Sequence, residues 1–371
     1  PEIKTERPRL ATRPWERPPH RDEEAFTRAV ALGLLDYLRK SRSGGWVISL
    51  SGGADSAAVT ALCAIALRLA AQELGLEGLK DRLAHIEHIQ ELDDLPSISR
   101  LMITTAYQST RNSGETTRSA AAAVAQAFDA THYEWSVDDM VEGYIALAAR
   151  AIGRSLSWET DDITLQNIQA RARAPSIWMI ANLENKLLLA TSNRSEAAVG
   201  YATMDGDTCG GLSPIAGIDK AFLRRWLQWL EEIGPHGLGP SPALSAVNSQ
   251  QPTAELRPSD QGQTDEGDLM PYPILDAIEK AAIRDKLAPI EVARQMRAEF
   301  PEIRLPQLVS WVRHFFQLWS RNQWKRERFA PSFHLDDENL DPKTWCRFPI
   351  LSGSFRRELE ELDAWLEANH R

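Results

Sequence analysis

Trp46-Val47-Ile48-Ser49-Leu50, then Ser51-Gly52-Gly53-Ala54-Asp55-Ser56, then the Ala- and Leu-rich run Ala57–Ala71 decide the fold. The first five residues are a short apolar run typical of a buried parallel strand. The last run reads as a helix. Between them, two glycines let the backbone turn tightly and approach an anion closely. A helix start after such a turn offers unpaired N–H groups and the positive end of its dipole. Ser51 and Ser56 add hydroxyls. Asp55 suits an anion nest when a divalent cation bridges it to a phosphate. The spacing lacks the Gly-Lys-Ser/Thr of a Walker A loop and is not the dinucleotide GxGxxG. The plain alternative is a Gly-rich strand-to-helix turn capped by serine.

Working outward, Gly44-Gly45 break the chain before this strand, and Asp22–Arg39 carries apolar residues at helical spacing with Asp22 as N-cap. After it come strand candidates at 101–105, 132–137 and 187–191, separated by helices at 119–128, 139–152 and 163–182. Strands alternating with helices predict an α/β, Rossmann-like, doubly wound parallel sheet with helices on both faces. From Asp205 to Asp268 the chain is rich in Gly, Pro, Ser and Asp around one helix, Lys220–Ile233, and this length of loop points to a functional lid. Beyond Asp276 the pattern is helical, with its strongest stripe at Leu308–Trp319. The expected organisation is a Pro-rich arm or linker over 1–21, a nucleotide-binding domain over 22–285 and a mainly helical C-terminal extension over 286–371.

Apolar residues at 43% and charged residues at 25% are enough to build a core and exclude disorder throughout. A net charge of −10 argues against a dispersed nucleic-acid surface. The aromatic and basic residues of His314–Arg328 are therefore read as a packed amphipathic helix with Lys325 reaching the active site. The longest apolar stretch, Val59–Leu67, is well short of the roughly 20 residues of a membrane span, and no secretory signal is visible. Cys63, Cys209 and Cys346 are too few and too scattered for a disulfide framework or a zinc site. The expectation is a cytoplasmic protein with no membrane and no nucleic-acid partner.

The hexapeptide Ser51–Ser56 resembles the loop of the ATP pyrophosphatase family, whose members transfer AMP to an oxygen and then let a nitrogen or sulfur nucleophile displace it. Three further stretches resemble NAD synthetases: Asn167-Ile168-Gln169-Ala170-Arg171-Ala172-Arg173; Ala190–Glu196 with Gly206-Asp207, Pro214 and Lys220; and Pro252–Arg257 with Asp265-Glu266 and Leu269–Tyr272. The tail Arg321–Arg326 looks like the ending of the glutamine-dependent branch. The resemblance implies amidation of nicotinic acid adenine dinucleotide to NAD, with ATP as co-substrate, Mg²⁺ as cofactor, ammonia as nitrogen donor and a homodimer or larger assembly. It implies that Ser49, Leu50, Ser51, Gly52, Gly53, Ala54, Asp55, Ser56, Thr191, Lys220 and Thr253 bind ATP. Asp55, Lys220 and Thr253 carry the catalytic role, and Asp55 and Glu196 share the metal. Asn167, Arg171, Glu196, Tyr201, Asp207 and Lys325 bind the dinucleotide. The residue types suit the chemistry: a carboxylate becomes an electrophile once its oxygen is made a leaving group, and fixed cations stabilise the pyrophosphate that departs. Hard carboxylate oxygens suit Mg²⁺.

Taken singly, these residues have plainer readings: Asp55 as a helix cap, Glu196 as a first-turn acid, Lys220 and Arg171 as solvated helix charges, Thr253 as a turn residue. Met204 and Gly211 stand where ammonia-dependent members carry a Lys and an Asp, which leaves recognition in that loop to Tyr201, Asp205 or Asp207. The segment 81–97 has no assigned counterpart. No nitrilase-like glutaminase fits before Trp46, so this chain by itself is expected to use ammonia, free or delivered by a separate glutaminase or an N-terminal glutaminase domain. Competing readings are a tRNA thiolase or lysidine synthetase, which add cysteine pairs or a basic RNA-binding domain, and a nucleotide-binding regulator without catalysis.

Overall fold

The structure is a computed structural model and describes residues 12–251, 256–257 and 264–369. Its centre is a parallel sheet of four strands: β1 (Trp46–Ser49), β2 (Ile103–Ser109), β3 (Thr131–Ser136) and β4 (Leu187–Leu189), in the order β3-β2-β1-β4. Trp46 sits opposite Ile103 on one side and Leu187 on the other. Side chains alternate across a strand, and both faces are covered. Trp46, Ile48 and Leu50 pack into the main core with helices α1 (Arg21–Ser41) and α2 (Ala54–Arg82). Val47 faces the other way, against Ile177 and Ala181 of a long helix, α6 (Trp158–Leu183).

Three elements depart from the sequence reading. The first helix begins at Arg21, so Asp22 lies in its first turn instead of capping it. Helix α2 runs to Arg82, kinked at Gly75, and is long and apolar enough by composition to cross a membrane. Most of that apolar window is buried against the sheet and its neighbours, which accounts for its composition. The strand expected at 101–105 starts at Ile103, because α3 (Leu95–Met102) precedes it; the Asp94 carboxylate accepts from the Ser97 amide at 2.6 Å and Pro96 sits in the first turn.

Helices α4 (Glu115–Ala127) and α5 (Asp138–Ile152) complete the flanks of the sheet. After β4 come a short helix α7 (Arg194–Val199), α8 (Lys220–Glu232), α9 (Ser245–Asn248), α10 (Asp265–Asp268), α11 (Tyr272–Glu279), α12 (Pro289–Glu299), α13 (Leu305–Arg321), α14 (Gln323–Arg326) and α15 (Arg356–Asn369). A second core joins Ala198 and Val199 of α7 to residues 269–362. It thus links α11, which precedes the boundary expected at 285/286, to the helices beyond it.

The chain moves outward from β1 to β2 and β3, then returns to the other side of β1 as β4. The order reverses between β1 and β4. In such sheets the crevice at the carboxyl ends of the strands flanking the reversal is where ligands bind. Both the Ser51–Ser56 turn and the residues after Leu189 open there.

Candidate active site

The turn after β1 is built on Gly52. Its φ is +83°, and a Cβ there would stand 2.1 Å from the Thr117 carbonyl oxygen of α4. Only glycine fits on both counts. Ser56 Oγ accepts from the Ser51 amide at 3.1 Å, lies 3.1 Å from Ser51 Oγ and donates to the Gly53 carbonyl at 3.2 Å. The two serines thus hold the turn closed. Helix α2 starts at Ala54 with no side-chain cap on Gly53, so its first-turn N–H groups suit an anion.

Across the crevice, Asn193 follows β4 and joins the two walls. Its Oδ1 accepts from the Glu196 amide at 2.9 Å, capping α7, and its Nδ2 donates to Asp55 Oδ1 at 2.9 Å. Lys220, the first residue of α8, is 2% exposed. Its ammonium donates to Asp55 Oδ2 and, at 3.0 Å, to Glu196 Oε1, and it lies 5.6 Å from the Tyr272 ring centroid. Helix α8 is set in place by Asp219, whose carboxylate accepts from the Phe222 amide at 2.6 Å. Ser195 Oγ accepts from the Lys220 amide at 2.8 Å and donates to Asp276. Asp276 also accepts from the Ala221 amide at 3.0 Å.

The charges at this point do not balance. Asp55, Glu196 and Asp265 act on one ammonium. Burial works against the charged Lys220, and the three carboxylates outweigh it and raise its pKa. Burial and the Asp55 charge push Glu196 up to about 8. Burial also raises Asp265, whose Oδ1 is buried without a hydrogen-bond partner while Tyr272 donates to Oδ2 at 3.3 Å. This donor set fits a hard divalent cation. Among the described residues no three acidic, His or Cys side chains form a ready cage, so a Mg²⁺ held here by Asp55 and Glu196 would need water or phosphate oxygens as its other ligands.

A cleft of about 1700 Å³, its open mouth included, runs along this wall. Of the expected ATP residues, Ser49, Ser51, Gly53, Ala54, Asp55, Ser56 and Thr191 line it. Leu50 and Gly52 are buried under the turn, and Lys220 stands behind Asp55 and Glu196. Thr253 lies outside the described residues. Of the expected dinucleotide residues, Glu196, Tyr201 and Asp207 line the cleft. Burial pushes Asp207 up to about 6, with the Thr203 amide donating to it at 2.8 Å. The other three instead hold the loop after α7. Asn167 accepts from Thr203 Oγ1 at 2.9 Å, Arg171 donates to the Met204 carbonyl at 3.0 Å, and Lys325 donates to the Gly200 and Ala202 carbonyls at 2.7 and 2.8 Å.

Gly211 has a structural reason of its own: its amide donates to the Leu188 carbonyl at 2.8 Å, and a Cβ would meet Leu187 at 2.7 Å. Cys209 lines the cleft, but burial pushes its thiol up to about 12, and burial likewise raises Cys63 and Cys346. None is a ready nucleophile. Asn193 and Asp265 carried no assigned role in the sequence reading. For Asn193 a signal was present, since Asn followed three residues later by Glu, as in Asn193–Glu196, is a helix-start pattern.

The NAD synthase family matches residues 26–328, well over half of the sequence. The chain belongs to the NAD synthase family. A glutamine-dependent NAD(+) synthetase from Oryza sativa subsp. indica is 30% identical over 340 residues, covering 85% of this chain and 46% of that protein. The solved structure of a glutamine-dependent NAD(+) synthetase from Cytophaga hutchinsonii is 45% identical, with a TM-score of 0.80 over 92% of this chain and 56% of that one. The NMN synthetase of Francisella tularensis shares the fold at 18% identity and a TM-score of 0.55, over 85% of this chain and 98% of that one. The chain spans about half the length of the curated relatives it matches.

Proposed function

We propose that this NAD synthase family chain amidates nicotinic acid adenine dinucleotide to NAD, consuming ATP through an acyl-adenylate and releasing AMP and pyrophosphate, with ammonia as nitrogen donor. The observation that carries this reading is Lys220 bridging Asp55 and Glu196 across the β1/β4 crevice, beside a glycine turn shaped for phosphate.

In this reading the backbone and hydroxyls of Ser51–Ser56 bind the ATP phosphates, and Lys220 neutralises the departing pyrophosphate with Thr253. Asp55 and Glu196 hold Mg²⁺. When bound, the ion supplies positive charge to the phosphate oxygens. Thr191, two residues past β4, contacts the nucleotide. Tyr201 and Asp207, on the other wall, face the dinucleotide acid, with Asn167, Arg171 and Lys325 serving the same substrate. The domain organisation that goes with it is 22–285 as the synthetase unit, 1–21 as arm or linker and 286–371 as helical extension. The ammonia comes free or from a glutaminase, as a separate protein or another domain.

A homodimer belongs to the same reading. Exposed Met140, Tyr144 and Leu147 on α5, with Ile163, Met179 and Leu183 on α6, support an apolar contact surface. A cytoplasmic location is supported by free Cys63, Cys209 and Cys346.

The test is pyrophosphate and AMP release by the purified chain with ATP and Mg²⁺. Release that requires the dinucleotide acid supports the proposal. Release that requires tRNA, or ADP as the stoichiometric product, refutes it.

A further inference from the structure

Helix α7 carries Glu196 in its first turn and ends after six residues. A helix leaves its last carbonyls without partners inside it. Here one short segment collects them. Arg326 donates to the Ala197 and Ala198 carbonyls at 3.3 and 2.7 Å, Asn322 Nδ2 to that of Val199 at 2.7 Å, and Lys325 to those of Gly200 and Ala202 at 2.7 and 2.8 Å. Every carbonyl from 197 to 200 is therefore held by α14 or the residue before it.

The holders are themselves fixed. Arg326 is 2% exposed, its guanidinium lies 3.8 Å from the Trp319 ring centroid, and it donates to Gln323 Oε1 at 3.0 Å. Gly200 has φ +67°, and a Cβ there would strike Asn322 at 2.4 Å. Cations at a helix C-terminus are favoured by its dipole, and a buried guanidinium is stable only when its donors are used.

Glu196 immediately precedes the held segment, Tyr201 lies within it, and Asp207 is tied to its far end by accepting from the Thr203 amide at 2.8 Å; all three line the cleft. We infer that Asn322, Lys325 and Arg326 are positioning residues, a clamp that fixes the nucleotide side and the dinucleotide side of the site relative to each other through the backbone carbonyls of 197–202. The substrate names rest on the proposed function; the clamp does not. Lys325 therefore acts on both ligands through the loop, where a direct contact would act on the dinucleotide alone.

The experiment uses the full chain with Lys325→Met, Asn322→Ala and Arg326→Lys. Hydrogen exchange is followed in peptides covering 194–208. Binding of Mg²⁺ with α,β-methylene ATP is titrated without dinucleotide, and binding of nicotinic acid adenine dinucleotide is titrated separately. In Lys325→Met the 194–208 amides are expected to exchange at least about tenfold faster, with β1 and β2 unchanged. Both affinities fall together, by about five- to thirtyfold, and the double variant with Asn322→Ala loses less than the product of the singles, because both side chains hold one segment. Lys325→Arg, which keeps the cation, restores most of the loss. If dinucleotide binding alone is lost, with exchange and nucleotide binding unchanged, Lys325 is a direct substrate contact and the clamp is overturned. Should Arg326→Lys fail to fold, the other two variants decide. If the wild-type chain binds neither nucleotide, the functional reading fails, and exchange alone judges the clamp: acceleration supports it and unchanged rates overturn it.

Discussion

Replacing Gly52 by alanine isolates one claim, that the turn after β1 exists only because its second residue has no side chain. Two costs add. A positive φ costs an L-residue about 1–2 kcal/mol. The new Cβ would also lie 2.1 Å from the Thr117 carbonyl oxygen, so the turn or the start of α4 must move by about 1 Å or more, and overpacking of that kind costs about 1–3 kcal/mol. Gly52→Ala should therefore lower the unfolding free energy by about 2–5 kcal/mol, a large part of the roughly 5–15 kcal/mol available to a folded chain. Gly53→Ala is the control: φ there is −90°, and the nearest atom to the added Cβ is Ser51 Oγ at 3.4 Å. That change should be neutral within about 1 kcal/mol. The assay is urea unfolding of both variants, read by fluorescence and circular dichroism. Activity should fall about a hundredfold or more in Gly52→Ala, because a displacement of about 1 Å in a positioning element costs that much. A Gly52→Ala midpoint equal to that of Gly53→Ala would refute the turn geometry.

The other expectations follow from the charges. Asp55→Asn removes a carboxylate from a cluster with an excess of them, so pyrophosphate release should vanish while the melting temperature holds; normal turnover would remove Asp55 from the catalytic set. The chain should form NAD from ammonium salts, faster as alkaline pH converts NH₄⁺ to NH₃, and fail with glutamine in preparations free of glutaminase, because no thiol here is activated. Glu279 is 2% exposed, and burial pushes it up to about 8 from 4.5 despite Arg194 at 3.3 Å. A carboxyl raised in the folded state favours folding fully below about 4.5 and loses that contribution as pH rises through about 8. Glu279→Gln should therefore flatten the fall of unfolding free energy between pH 5 and pH 8.5, measured by urea titration; an unchanged slope would assign it to other groups.

The strand-turn-helix unit was legible because its signals are local: an apolar run, paired glycines and an Ala-rich helix each act over a few residues. The helix at 95–102 was not, because its start depends on one Asp94 carboxylate bonding the Ser97 amide, and the apolar residues after it fit helix or strand equally well. Helix α6 runs through Pro175, which tertiary packing of Ile177 and Ala181 against the sheet sustains. The site residues were legible as types but not as contacts. The resemblance gives Lys325 and Arg171 a substrate contact, whereas in the structure both bond backbone carbonyls of the loop after α7, and a carbonyl leaves no mark in a sequence. The same blindness hid Asn322 and Arg326.

The anion site of the proposed function lies in an acidic chain, so the placement of the cations beside it matters. Three cations beside the cleft are spent in two ways. Arg326 and Lys325 are committed to carbonyls of the segment behind the wall. Lys220 faces inward, shared between Asp55 and Glu196. A purely structural ion pair would be matched in charge with its lone pairs used, since a buried unpaired carboxylate is expensive. Here Asp265 keeps an unpartnered buried oxygen, and Glu196 is pushed up to about 8. Asp55 and Glu196 would hold a dication here, and its positive charge would suit a polyphosphate at this wall. Lys220 is held by the same two carboxylates, and a cation bound to them would weaken that hold. On the proposed function its ammonium acts on the pyrophosphate, so Lys220→Met is expected to lower turnover even where Mg²⁺ still binds; unchanged turnover would leave Lys220 a counter-ion only.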